Sequence, residues 1–278
     1  MAKEITKAEN IAYLEKGLYY SGFGIEANKT LNDEISKQTK EFSVPLQMHV
    51  AGKEADFRLD FKQSEKQPDI YFFNGYQATL KENPEKTQYF AITKNNGITT
   101  REAVNLLEGR AVAKSIKLED GSRQEIWTQI NFQSKKNNGN FERKTYFPSY
   151  GFDMSKALSD LPLKTEEGKD LPKWIASSLK KGNAVEVDME MDGKAQKNTI
   201  VANPQFKTID VFDKSNTRIL QSNGNTISVK EQPFIEHPGE TVTKDVKPSL
   251  KEETGVKRLP RKQKTEAVTE NTSKGMRR

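Results

Sequence analysis

Residues 95–112, NNGITTREAVNLLEGRAV, run a glycine-containing loop straight into a helical pattern. Loops that open helices in this way can bind phosphate, because the free first-turn amides and the helix dipole both favour an anion. The details here point elsewhere. Thr99 is followed three residues later by Glu102, the Thr-x-x-Glu pattern of a capping box, and Glu102 would compete with a phosphate for the same amides. The lone Arg101 is weak compensation, and the Gly-Lys-Ser/Thr ending of a P-loop is missing. Ala103, Leu106 and Leu107 form an apolar face, and Gly109 suits the left-handed residue that stops a helix. The stretch reads as punctuation between strands rather than as a nucleotide site.

Residues able to do covalent or metal chemistry are few. Cysteine is absent, which excludes a disulfide framework, a thiolate nucleophile and Cys-ligated zinc. The two histidines are His49 and His237, so neither a Ser-His-acid arrangement nor a two-histidine metal site can be built. His49 stands between apolar Met48 and Val50, which places it on the solvent face of a strand. In VEVDMEMD, Glu186, Asp188, Glu190 and Asp192 share one face and Val185, Val187, Met189 and Met191 the other. Stacked carboxylates can hold a divalent cation. A wet strand face balanced by lysines across the ladder is the stronger reading. The expectation is therefore no catalytic residue, no metal and no cofactor: not an enzyme.

Binding signals are clearer. Residues 127–152 carry Trp127, Phe132, Phe141, Tyr146, Phe147, Tyr150 and Phe152, interleaved with Lys135, Lys136, Arg143 and Lys144. Exposed rings stack on unpaired bases while flanking cations follow the phosphates. Strand alternation turns about half of these rings toward a core. The second signal is the tail. Residues 256–278 hold eight basic side chains against Glu266 and Glu270, and the net +6 of the whole chain resides there, the remainder balancing to zero. Lys257, Arg258, Arg261, Lys262 and Lys264 form its densest cluster. Each phosphate that such a cluster neutralises adds sequence-independent, salt-sensitive affinity for DNA or RNA.

These residues need a scaffold, and periodicity outlines one. Ile5, Ile11, Leu14 and Leu18 make a helical stripe; Leu31, Ile35 and Phe42 suggest a second helix. Strands with period two follow, including a hairpin around Ala51-Gly52-Lys53 and another around Glu119-Asp120-Gly121-Ser122. Asp153 and Asp170 can cap helices reaching Leu161 and Lys181, with Gly182 as a stop, before a hairpin at Asp192-Gly193. Residues 31–74 and 170–213 share one order: helix, strand, Gly-Lys turn, strand, strand. The expected fold is α+β: antiparallel sheets with short packing helices in two similar halves, then a disordered basic tail. The expected divisions are 1–42, a helical segment on the first half; 43–150, a half with a central short helix; 151–220, the second helix-plus-hairpin half; and 221–278, the tail, too poor in apolar residues to offset the entropy of ordering. No signal-peptide core or long apolar run occurs, so no membrane partner is expected and the location expected is cytoplasmic.

NIAYLEKGLYYSGFG, DIYFFNGYQATL, GITTREAVNLLEGRAV, FERKTYFPSYGFD, SLKKGN and ANPQFKTIDVFD follow one another in order. Over roughly residues 8–220 they resemble a Bacteroidetes family of domains of unknown function found on conjugative and other mobile elements. SYGFDMSKALSDLPLK fits that order but diverges in detail. The resemblance implies a mobile-element context and a basic low-complexity arm, and carries no activity, cofactor or catalytic residue. Joined to the charge pattern, it leads to the expectation of a non-enzymatic nucleic-acid-associated accessory protein. The alternative is an adaptor that docks on a DNA-processing protein such as a relaxase or topoisomerase.

Overall fold

Thr6 starts the first helix: its hydroxyl accepts from the amide of Glu9, and the Glu9 carboxylate accepts from the amide of Thr6 at 3.0 Å. In the computed structural model, which describes residues 5–93, 97–164, 173–191, 193–222 and 225–229, α1 (Lys7–Leu18) buries Asn10, Leu14 and Leu18. Ile5 lies ahead of the cap and is exposed, not part of the buried stripe. A π-turn at Tyr19–Phe23 leads toward α2 (Asn28–Ser36), which buries Leu31 and Ile35. The helix does not reach Phe42. Gln38 adopts φ 56°, and Phe42 belongs to the first strand.

The strands form three antiparallel sheets. β1 (Glu41–Val50), β2 (Lys53–Gln63), β3 (Tyr71–Leu80) and β4 (Asn83–Ala91) make a four-stranded meander. Pro45 is tolerated within β1 because β1 is an edge strand, where a missing amide breaks no ladder. α3 (Thr100–Leu107) leads to β5 (Val112–Lys117), β6 (Arg123–Lys135) and β7 (Phe141–Tyr146), the middle sheet. α4 (Met154–Ser159) is capped by Asp153 as expected but ends short of Leu161. α5 (Lys173–Lys180) follows; Asp170, its expected cap, lies outside the described residues. β8 (Val185–Met191), β9 (Lys194–Asn203), β10 (Thr208–Phe212), β11 (Arg218–Ser222) and β12 (Asn225–Val229) make a five-stranded sheet. The protein is thus α+β with antiparallel sheets and short helices. Among the described residues, strand pairing continues to Val229.

Among the described residues one unit occurs three times. α2, α3 and α5 each precede an antiparallel meander, of four, three and five strands in turn, and each ends in the same left-handed stop: Gln38 at φ 56°, Gly109 at 84° and Gly182 at 77°. The bonds match as well. Gln38, Gly109 and Gly182 donate to the carbonyls of Ile35, Leu106 and Leu179, and Thr39, Arg110 and Asn183 to those of Glu34, Asn105 and Ser178. This is the Schellman pattern. Four residues before Ile35 and Leu179 stand Leu31 and Ile175; four before Leu106 stands Glu102. The middle unit therefore buries a carboxylate where its siblings bury aliphatic side chains. Glu102 closes the capping box with Thr99 and accepts from Lys114 Nζ at 2.6 Å.

The middle sheet is a shared wall. Val112, Ile130 and Phe141 enter the core formed with α1–α3 and the first sheet. Ala111, Trp127 and Tyr146 enter the core formed with α4, α5 and the third sheet. Neighbouring positions point to opposite faces, so each face of this sheet contributes to a core while its outer ends stay exposed. Buried carboxamides stitch it to its neighbours. The Phe141 amide donates to Gln88 Oε1 at 2.8 Å, and Gln88 Nε2 donates back to the Phe141 carbonyl at 3.3 Å, joining β4 to β7. Asn105 Nδ2 donates to the Lys181 carbonyl at 2.6 Å and to Asn183 Oδ1 at 2.9 Å, joining the ends of α3 and α5.

Candidate nucleic-acid interface

Four of the cations singled out from the sequence lie on the β6–β7 hairpin. Its tip, residues 135–139, is exposed throughout, and Gly139 turns it at φ 83°. Lys135 and Lys136 stand there, with Lys135 Nζ 4.6 Å from the centroid of Phe141. Arg143 is exposed two residues along β7 from Phe141, on the same face, its guanidinium carbon 5.8 Å from the Phe90 centroid. Lys86 of β4 sits over Phe132 at 4.4 Å, so Lys86, Lys135 and Arg143 each lie against a ring near the β4–β7 seam. Lys144 alternates to the opposite face, across from Gln129, and does not join them. Lys257, Arg258, Arg261, Lys262 and Lys264 lie outside the described residues.

The rings between these cations do not form a stacking platform. Trp127, Phe141 and Tyr146 are buried, and Phe132, Phe147, Tyr150 and Phe152 are half-buried. Phe132 packs edge-on to Phe141 at 5.0 Å, and Phe152 edge-on to Trp127 at 5.3 Å. The Tyr150 hydroxyl donates to the Gln205 carbonyl at 2.8 Å. Burial pushes the Tyr146 phenol far above its ordinary range, and its hydroxyl lies between the carboxamide oxygens of Gln129 and Gln205. What remains open is a shallow cleft of about 320 Å³ floored by Trp127, Tyr146, Phe147 and Phe152, with Glu125 and Lys180 at its rim bridged at 2.7 Å. The rings are covered for a physical reason: this sheet packs against a core on each side.

The remaining chemical candidates resolve into surface pairs. His49 is exposed, its Nδ1 2.9 Å from Glu54 Oε1. β8 alternates as expected, with Glu186, Asp188 and Glu190 exposed. Lys197 Nζ bonds Glu186 at 2.7 Å, which holds that carboxyl below its ordinary range. Asp192 lies outside the described residues, and among the described residues no three groups of metal-ligating type come together.

Sequence reading passed over the most exposed rings. Tyr13, Tyr19 and Tyr20 project from α1 and the turn after it, Tyr19 edge-on to Tyr20 at 5.6 Å, and Ile25 stands exposed just beyond. The signal was present: once Ile11, Leu14 and Leu18 are assigned inward, these tyrosines are left on the polar side of the helix. Among the described residues no helix is long and apolar enough to cross a membrane. In comparisons with known proteins, no family model, no curated protein and no solved structure matches the chain.

Proposed function

We propose that the chain is a non-enzymatic, cytoplasmic accessory protein that holds DNA or RNA mainly by electrostatics, in the mobile-element setting its sequence resembles. One observation carries this reading: the whole net charge of +6 sits in residues 256–278, while the rest of the chain is neutral. A cluster of this kind attracts a polyanion whatever its base sequence, by releasing condensed counterions. The exposed lysines at the β6–β7 tip supply a second, weaker contact from the folded body. The aromatic packing described above supports a backbone grip over base reading in that region.

Mobility-shift assays on single- and double-stranded DNA and on RNA test this directly. Deleting 256–278 is expected to abolish a shift that also weakens steeply with salt. A shift unchanged by the deletion removes the tail from the interface. If pull-down of a DNA-processing partner instead survives nuclease and high salt, the adaptor role replaces nucleic-acid binding.

A further inference from the structure

We propose that the protein forms a two-fold dimer through the outer face of α1 and the turn that follows it. The exposure is unusual for such large side chains: Tyr13 71%, Tyr20 71%, Ile25 69% and Tyr19 61%. Together with Ile5 they leave roughly 600 Å² of mostly apolar side-chain surface exposed along and beside α1 in each copy, taking 150–250 Å² for a full aromatic side chain. A stable interface uses about 800 Å² per partner, so Tyr13 and Tyr20 supply its centre and the flanking residues with their polar rim the remainder.

Gly17 gives the second reason. It is the penultimate residue of α1, where the helix runs on directly into the π-turn, so glycine still costs about 0.5–1 kcal/mol relative to alanine. No described residue lies within 4 Å of the position a Cβ would take, so no described neighbour requires the missing side chain. The hollow opens on the same helical stripe as Tyr13, Lys16 and Tyr20, at spacings of three and four.

That stripe matches itself. Tyr13 and Tyr20 lie equally far on either side of the midpoint between Lys16 and Gly17. Two copies crossing antiparallel at that point set Tyr13 of one against Tyr20 of the other, and each Lys16 over the Gly17 hollow of its counterpart. The lysine stem fills the hollow, and its ammonium reaches the tyrosine faces. A patch that is its own complement gives a closed, isologous pair.

The face is also held rigid in advance. Phe23, at the end of the π-turn, packs edge-on to Tyr76 at 5.0 Å and Phe57 at 5.5 Å, and Asn10 exchanges hydrogen bonds with the Tyr71 backbone at 2.8 and 3.1 Å. Gly22, at φ 92°, lies so close to Thr100 that a side chain there would collide with its hydroxyl. Little ordering cost remains for association. If the nucleic-acid reading holds, a dimer brings two basic arms to one assembly and raises avidity; the dimer itself does not depend on that reading.

Sedimentation velocity of the full chain without nucleic acid, from about 1 to 100 μM, is the test, over the range where dimers of this area assemble. The expected result is a concentration-dependent shift to twice the monomer mass. Tyr13→Ser with Tyr20→Ser should weaken the dimer at least about 100-fold without lowering the melting temperature of the monomer, taken below the concentration of dimer formation, as the loss of central aromatic anchors does. Gly17→Gln should raise that monomer melting temperature while weakening the dimer about tenfold or more, a combination that a purely structural glycine would not give. A monomer at every concentration overturns the proposal, as does a dimer indifferent to both variants.

Discussion

The β6–β7 hairpin and the α1 face carry aromatic residues at similar density, yet they use them in opposite ways. In the hairpin, Trp127, Phe141 and Tyr146 are split between two cores, and the rings left over lean on one another or on lysines. On α1, buried Leu14 and Leu18 already satisfy the core, and the tyrosines stand outside it. Interleaved cations are therefore no guide to which rings meet a partner. What decides is how many faces of the element are already covered. A strand in a shared wall has both faces taken, whereas a surface helix keeps its outer face free.

Substitution can break this contrast most visibly at the largest rings. Trp127→Ala should cost about 3–5 kcal/mol, since it empties a buried site. Tyr13→Ala should stay within about 0.5 kcal/mol, since the side chain leaves water for nothing in the monomer. Chemical denaturation of both variants measures the pair; equal losses would mean that α1 tyrosines are packed after all.

The two glycines sharpen the same point. Gly182 adopts φ 77° and an added Cβ would lie 2.9 Å from the Ala111 carbonyl oxygen. Gly182→Ala should destabilise by about 1–3 kcal/mol. Gly17→Ala has open space and should stabilise the monomer by about 0.5–1 kcal/mol. Thermal melts at concentrations below dimer formation should show shifts of opposite sign.

A smaller effect is expected from pH. Burial raises the Tyr76 phenol well above its ordinary value, with the Glu102 carboxylate adding to the shift, and its hydroxyl donates to the Ile98 carbonyl at 2.7 Å. A raised folded value means the stabilisation is complete below the unfolded value of about 10 and is lost as pH climbs toward the folded one. Stability should thus fall above about pH 10, with tyrosinate from Tyr76 appearing only together with loss of helical circular dichroism. Tyrosinate from Tyr76 in the still-folded protein would show that its pocket is open.

Much of this fold was legible in the chain. Hairpins at Ala51-Gly52 and Gly193, the Thr99–Glu102 cap and the Gly182 stop all follow from local chemistry that tertiary packing has no reason to override. The third copy of the helix-plus-meander unit was not legible. Its helix carries Glu102 where the siblings carry Leu31 and Ile175, and its hairpin closes through Asp120 and Gly121 rather than Gly-Lys. Nor could period-two alternation say that the middle sheet carries a core on each side, because a polar strand position is counted as wet until a neighbouring layer covers it. Lys135 and Lys136 could be read as exposed from their turn; the separation of Lys144 from Arg143 follows from strand register.

The salt dependence of nucleic-acid affinity tests the central claim most directly. For the full chain on duplex DNA, the logarithm of the binding constant should fall with the logarithm of salt concentration at a slope of about −5 to −7, as expected if most of the tail cations each displace a counterion. Neutralising Lys257, Arg258, Arg261, Lys262 and Lys264 to glutamine should reduce that slope in magnitude by about 4 and leave the melting temperature unchanged. A slope that survives neutralisation, or an affinity indifferent to salt, would contradict an electrostatic grip by the tail.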